Sequence, residues 1–494
     1  MTTGNPASSL RQLETFGNVA AEQDAVLDYF ISTSAVSEIA SLSKFLVLGR
    51  KGAGKTAIVR HFAENDNDMN SSKAISLHGY PWAIHASRAD KGASPIEAYV
   101  SSWKYLIAVE LATLSLNHDI SMPWLDDAKS LIAFLKDNYG STSIKLGDIL
   151  SPQALRLSKA SFEPTVLGCK LGSVSLERPT GDLRLGQELN ALTDAILEAI
   201  ASMCKRENTP ALTLHFDELD QGLSSFDESR KNLVIGLVLA ARQVNQLLKT
   251  KDVKASAIVY LRTDLWEDLQ FSDKNKISQG QALHLSWDNE SLLRLVNARL
   301  QKRLGDQTTW DIVATSDLMR GTQTKWSHIT SRTFLRPRDV ISFLNNALSK
   351  AKKRSDDPLV FTNGDIVNAR IDYSLYLKQE LDDEITPHWP CWAEALQACS
   401  RISTITFDRS QFVSEYQKVK TSKNHVLADD ALRLLYDFSV IGYQARSGYG
   451  GSTWTFQYTD PAAGWDNAAS KFKVHIGLKE FAKLAEERAA GSNT

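Results

Sequence analysis

Eight consecutive residues, Gly49-Arg50-Lys51-Gly52-Ala53-Gly54-Lys55-Thr56, constrain this chain more than any other feature. They fit G-x-x-x-x-G-K-[ST] with Gly49, Gly54, Lys55 and Thr56 in register. The run before them, Phe45-Leu46-Val47-Leu48, is apolar and stopped by glycine, the pattern of a short buried strand. Ala57-Ile58-Val59-Arg60-His61-Phe62 behind them reads as the first turns of a helix. Glycine admits positive φ and lets backbone N–H groups approach a bulky anion. With the free donors of a helix N-terminus, those N–H groups make an anion nest. The pattern therefore predicts a phosphate-binding loop formed by Gly49, Arg50, Lys51, Gly52, Ala53, Gly54, Lys55, Thr56 and Ala57. Lys55 would reach the β- and γ-phosphates, and the Thr56 hydroxyl would ligate Mg²⁺.

A phosphate loop needs an acidic partner to hold the metal. Ala211-Leu212-Thr213-Leu214-His215-Phe216 reads as a buried strand ending in Asp217-Glu218. A carboxylate at the C-terminal tip of a core strand can hold Mg²⁺, so Asp217 is assigned to the metal. Glu218 is assigned to the attacking water. His215, inside the strand, reads as a core histidine. Ala255 to Leu261 forms the next strand and ends in Arg262-Thr263-Asp264, where Arg262 or Thr263 would sense the γ-phosphate. Arg336 and Arg338 flank Pro337 at a helix start and offer planar forks suited to phosphate; nothing in the sequence chooses between them. No N-K-x-D order occurs near Asp273, which favours ATP over GTP.

At 494 residues the chain has room for about three domains. Alternating strands and helices around the loop predict an α/β fold, a parallel sheet with helices on both faces. This core is expected over 1–285, with an insertion at about 115–190 carrying a small hairpin. A helical lid follows over 286–375. Over 376–494 a helix and two β-type runs around Gly448 to Gly451 suggest a C-terminal winged-helix-like domain. The net charge of −2 gives no global case for nucleic acid. Cys169, Cys204, Cys391 and Cys399 lack metal or disulfide spacing, which fits a reducing cytoplasm. No apolar run is long enough to span a bilayer, so no membrane partner is expected.

On these residues the chain resembles the AAA+/STAND group of P-loop ATPases. "VLGRKGAGKTA" looks like their Walker A, "LTLHFDELDQG" their Walker B, "IVYLRTDLW" a sensor-1 strand and "FLRPRDVISFLNNAL" a sensor-2 lid helix. The C-terminal stretch is similar to that of bacterial ATPases of this kind, some of which serve anti-phage defence. The resemblance implies an ATPase using ATP and Mg²⁺ that regulates a protein effector or self-assembles; the long insertion departs from a plain AAA+ core and favours a switch over a ring-forming motor. Two alternatives stay open. One is a DNA-binding ATPase of origin-recognition type, using Lys350 to Arg354 or Lys471 and Lys473. The other is a nucleotide-loaded scaffold that does not hydrolyse.

Overall fold

The computed structural model describes residues 10–19, 24–65, 70–77, 95–117, 126–149, 185–205, 209–219, 226–356, 358–446 and 451–486. The chain divides into two units: Ser32–Arg50 with Lys55–Leu285, and Met1–Ile31 with Lys51–Gly54 and Ser286–Thr494.

Among the described residues the first unit is built on five parallel strands: β1 (Leu46–Leu48), β2 (Asn70–Ser76), β3 (Ala211–Asp217), β4 (Ala255–Leu261) and β5 (Ala282–His284), in the order β2-β3-β4-β1-β5. Parallel strands are joined by crossover helices, which cover both faces. On one face Leu212, Leu214 and Phe216 of β3 enter a continuous apolar core with Trp103 and Leu233. Trp103 lies on the helix Pro95–Asn117 and Leu233 on the helix Glu228–Thr250. On the other face the helix Lys55–Glu64 lays Phe62 on the His215 ring at 5.0 Å. The α/β sheet with helices on both faces is thus as expected. Strand β5 was not foreseen; three residues carry no readable period.

Of the expected insertion, the described residues include helices Asp126–Tyr139 and Leu146–Ile149 and the start of the helix Leu185–Cys204. Tyr139 donates or accepts with Tyr105 at 2.6 Å, hydroxyl to hydroxyl, which ties the first of these to the helix Pro95–Asn117. The hairpin expected near "TVLGCKLGSVSLERPTGDL" lies outside the described residues.

The second unit is helical with one antiparallel sheet. Helices Asn289–Leu304, Pro337–Arg354 and Asn363–Ile385 carry most of its first half. Pro337 takes the first turn of its helix, where a missing N–H costs nothing. The boundary expected at 375/376 falls inside the helix Asn363–Ile385. Among the described residues one apolar core runs from Leu292 through Leu377 to Leu484, so the stretches 286–375 and 376–494 share it. After this come helices Trp392–Ile402, Arg409–Val419 and Ala428–Asp437 and strands β6 (Thr406–Asp408), β7 (Ile441–Arg446), β8 (Ser452–Thr455) and β9 (Lys471–Val474). The sheet order is β6-β9-β7-β8, with β7 and β8 antiparallel as the hairpin signal predicted. The order of helix, strand, two helices and hairpin is winged-helix-like. In the N-terminal stretch Val26–Tyr29 is a 3₁₀ turn and Ser34–Ala40 an α-helix.

Candidate functional site

The loop leaves β1 at Leu48 and enters its helix at Lys55. Gly52 and Gly54 take φ of 79° and 99°, the left-handed region where a side chain is strained. A Cβ on Gly52 would also stand 2.8 Å from Cβ of Arg338. Each carbonyl from Gly49 to Ala53 accepts a hydrogen bond. Lys55 Nζ donates to Gly49 O at 2.8 Å and Arg50 O at 3.1 Å. Arg336 Nη1 donates to Lys51 O at 3.0 Å, Arg338 N to Gly52 O at 3.4 Å, and Trp287 Nε1 to Ala53 O at 2.9 Å. No backbone acceptor among the described residues takes the N–H groups of Lys51 to Gly54. Carbonyls already engaged, with neighbouring amides left over, suit an anion nest.

Asp217 ends β3, with β4 lying between that strand and β1. The Thr56 hydroxyl donates to Asp217 Oδ2 at 2.8 Å. The Asp217 carboxylate is buried, and burial lifts its pKa to about 6; the Thr56 hydrogen bond, the Glu218 backbone and the Lys55 charge pull the other way. Two hard oxygen donors this close suit Mg²⁺, which keeps several waters and takes its remaining ligands from phosphates. Among the described residues no group of three or more His, Cys, Asp or Glu is placed to hold a metal ion.

Glu218 takes φ of 62°, uncommon for a residue with a side chain and typical of places where a functional group is re-aimed. Its carboxylate accepts from the Ser76 hydroxyl. Ser76 pairs with Asp217 in the β2–β3 register. Sequence reading missed Ser76, since only the pairing reveals it. His215 sits on the same strand as a satisfied core residue, as expected. Its Nδ1 bonds Tyr260 Oη at 2.9 Å and its Nε2 bonds Thr213 Oγ1 at 3.0 Å. Burial pushes its pKa down to about 3.

The three candidate arginines have different surroundings. Arg262 at the tip of β4 is gripped by Asp264, Nε to Oδ1 at 3.0 Å and Nη2 to Oδ2 at 2.6 Å. Arg336 is buried and forks onto Asp339 at 2.9 and 3.0 Å; it also bonds Glu384. Burial works against its charge, but those two carboxylates hold its pKa well above the ordinary value. Arg338 is one-fifth exposed, donates from Nε to Val19 O at 3.1 Å, and meets Glu380 at 3.3 Å. Lys51 contacts Asp383 at 2.6 Å and the same Glu380 oxygen at 3.6 Å. Trp287, Glu380 and Asp383 left no trace in the sequence pattern.

Of the basic run, Lys350 is paired with Asp372 at 2.5 Å and Arg354 with Asp365 at 2.9 Å. Lys473 lies over the Trp454 ring at 5.5 Å. No described helix is long and apolar enough to cross a membrane.

A family model described as the FunZ-associated C-terminal helical domain matches residues 290–382. A transposon gamma-delta 80.3 kDa protein of Escherichia coli (strain K12) is 23% identical over 373 residues, covering 70% of this chain and 48% of that protein. The chain thus spans about half the length of the curated relative it matches. Among solved structures, the Aeropyrum pernix ORC1 protein in complex with DNA aligns over 91% of each chain, at 11% identity and a TM-score of 0.35. Likeness at that level adds nothing to the fold already read from the strands.

Proposed function

We propose that the chain binds ATP with Mg²⁺ on the loop from Gly49 to Ala57 and hydrolyses it, acting as a nucleotide-dependent switch. One observation carries this reading: the Thr56 hydroxyl meets the Asp217 carboxylate at 2.8 Å across 161 residues of sequence. A bound Mg²⁺ would supply charge neutralisation at the phosphate oxygens. The remaining work falls to the chain. The N–H groups of Lys51 to Gly54 cradle the phosphates, and Lys55 leaves its loop carbonyls for the β- and γ-oxygens. Glu218 orients the attacking water and takes its proton, held in aim by Ser76. Arg338 is the arginine we assign to the γ-phosphate, because the charge of Arg336 is already neutralised by two carboxylates. Arg262 we assign to fixing the end of β4.

Lys55→Ala should abolish Mg·ATP binding in a calorimetric titration. Glu218→Gln should bind normally and hydrolyse roughly 10²- to 10⁴-fold more slowly. Undiminished turnover in the Glu218 variant removes its role and favours a different base. Full binding by the Lys55 variant overturns the reading.

The DNA-binding alternative has less support. Two cations of the Lys350 to Arg354 run are already neutralised. The helix Ala428–Asp437, second of a helix pair, exposes Asp429, Asp430 and Asp437 beside Arg433, the wrong sign for a phosphate backbone. A non-hydrolysing scaffold is separated from a switch by single-turnover measurement. The effector or self-assembly, and a setting in anti-phage defence, rest on family resemblance alone.

A further inference from the structure

We propose that Glu380 is an internal counter-ion which the terminal phosphate of ATP displaces at the tip of the loop. The inference rests on the ATP reading above and names how that site is regulated.

Three cations meet at the loop tip, and they are not equally satisfied. Arg336 has a bidentate carboxylate, a second carboxylate and the Lys51 carbonyl, so its charge is already neutralised. Lys51 and Arg338 share a single oxygen, Glu380 Oε2, at 3.6 and 3.3 Å. Charge-assisted hydrogen bonds settle at about 2.7–2.9 Å, so one oxygen is stretched between two donors and fully serves neither. All three side chains are about four-fifths buried, with exposures of 20%, 15% and 21% for Lys51, Glu380 and Arg338. Solvent therefore screens this triad poorly. The second partner of Lys51, Asp383, is 68% exposed, and exposed pairs contribute little.

A terminal phosphate offers three strong acceptor oxygens to the same two cations. Arg338 would give up only its contact with Glu380, because Nε stays anchored on Val19 O. Its Nη2 has no hydrogen-bond partner among the described residues and is the donor available to a second oxygen. Displacement frees Glu380, which sits on the helix Asn363–Ile385. The third phosphate is thereby reported to that helix, whereas ADP, one phosphate shorter, leaves the triad intact. Glu380 is a positioning residue in this scheme and touches no reacting atom.

The test compares wild type with Glu380→Gln, an isosteric change that removes the competing charge. Affinities are measured for Mg²⁺ with a non-hydrolysable ATP analogue and for Mg·ADP. The analogue should bind about five- to tenfold more tightly to the variant, within the range of ordinary coupling energies, and ADP should be unchanged. Glu380→Asp, which keeps the charge, should leave the ratio near that of wild type. An unmoved ratio in Glu380→Gln, or an equal loss for both ligands, overturns the proposal and leaves a merely structural glutamate. If wild type binds neither nucleotide, the ATP reading itself fails and this inference falls with it.

Discussion

Leu212, Leu214 and Phe216 point from β3 into an apolar core, and Phe216 meets Trp103 edge-on at 6.2 Å. Thr213, His215 and Asp217 point the other way. There Ser72, Thr213, His215 and Tyr260 form a hydrogen-bonded line across three strands, and Asp217 closes the row at the Thr56 hydroxyl. The period of two along a strand gives one segment two tasks. The first face supplies burial energy. The second holds a polar row whose members pay for their position: Asp217 is pushed up to about 6 and His215 down to about 3, each by desolvation.

The contrast breaks most visibly on the apolar face. Phe216→Ala should cost roughly 3–5 kcal/mol, the usual penalty for emptying a core aromatic site. Denaturant melts would read this, with nucleotide affinity of the folded fraction little changed. A loss below about 1 kcal/mol would mean that the site collapses or is less packed than its burial implies.

On the polar face the sign should reverse. The native pKa of Asp217 lies above its unfolded value, so between about pH 4 and 6 the native state keeps a proton that the unfolded state releases. Stability contributed by this residue therefore falls as pH rises through that window, and the penalty is complete above pH 6. Asp217→Asn should stabilise the metal-free protein by about 1–3 kcal/mol at pH 7.5, with the gain fading near pH 4. Thermal melts at the two pH values check it. Destabilisation at pH 7.5 would show the carboxylate supporting the fold instead of costing it.

Local patterns made much of this legible. The glycines from Gly49 to Gly54 needed only their own spacing, and the strand ending at Asp217 needed only an apolar run stopped by acids. What resisted reading depends on partners distant in sequence. Ser76 meets Glu218 only because β2 and β3 pair in register. Arg336 and Arg338 are equivalent in sequence, and what separates them is Glu384, 48 residues from Arg336, and Glu380, 42 residues from Arg338. The helix Asn363–Ile385 runs through the boundary expected at 375/376, with Leu377 and Leu381 in the same core as Leu292, a contact that no local pattern displays. Strand β5 is fixed by pairing with β1 and not by any pattern of its own three residues.

The central claim is that Thr56 and Asp217 together hold a nucleotide's metal. Mn²⁺ in place of Mg²⁺ allows this to be read by electron paramagnetic resonance of the free ion, in the presence of a non-hydrolysable ATP analogue. Wild type should take up one Mn²⁺ per bound nucleotide, and both Thr56→Ala and Asp217→Asn should weaken that uptake by at least about tenfold. Mn²⁺ affinity unchanged in both variants would contradict the account.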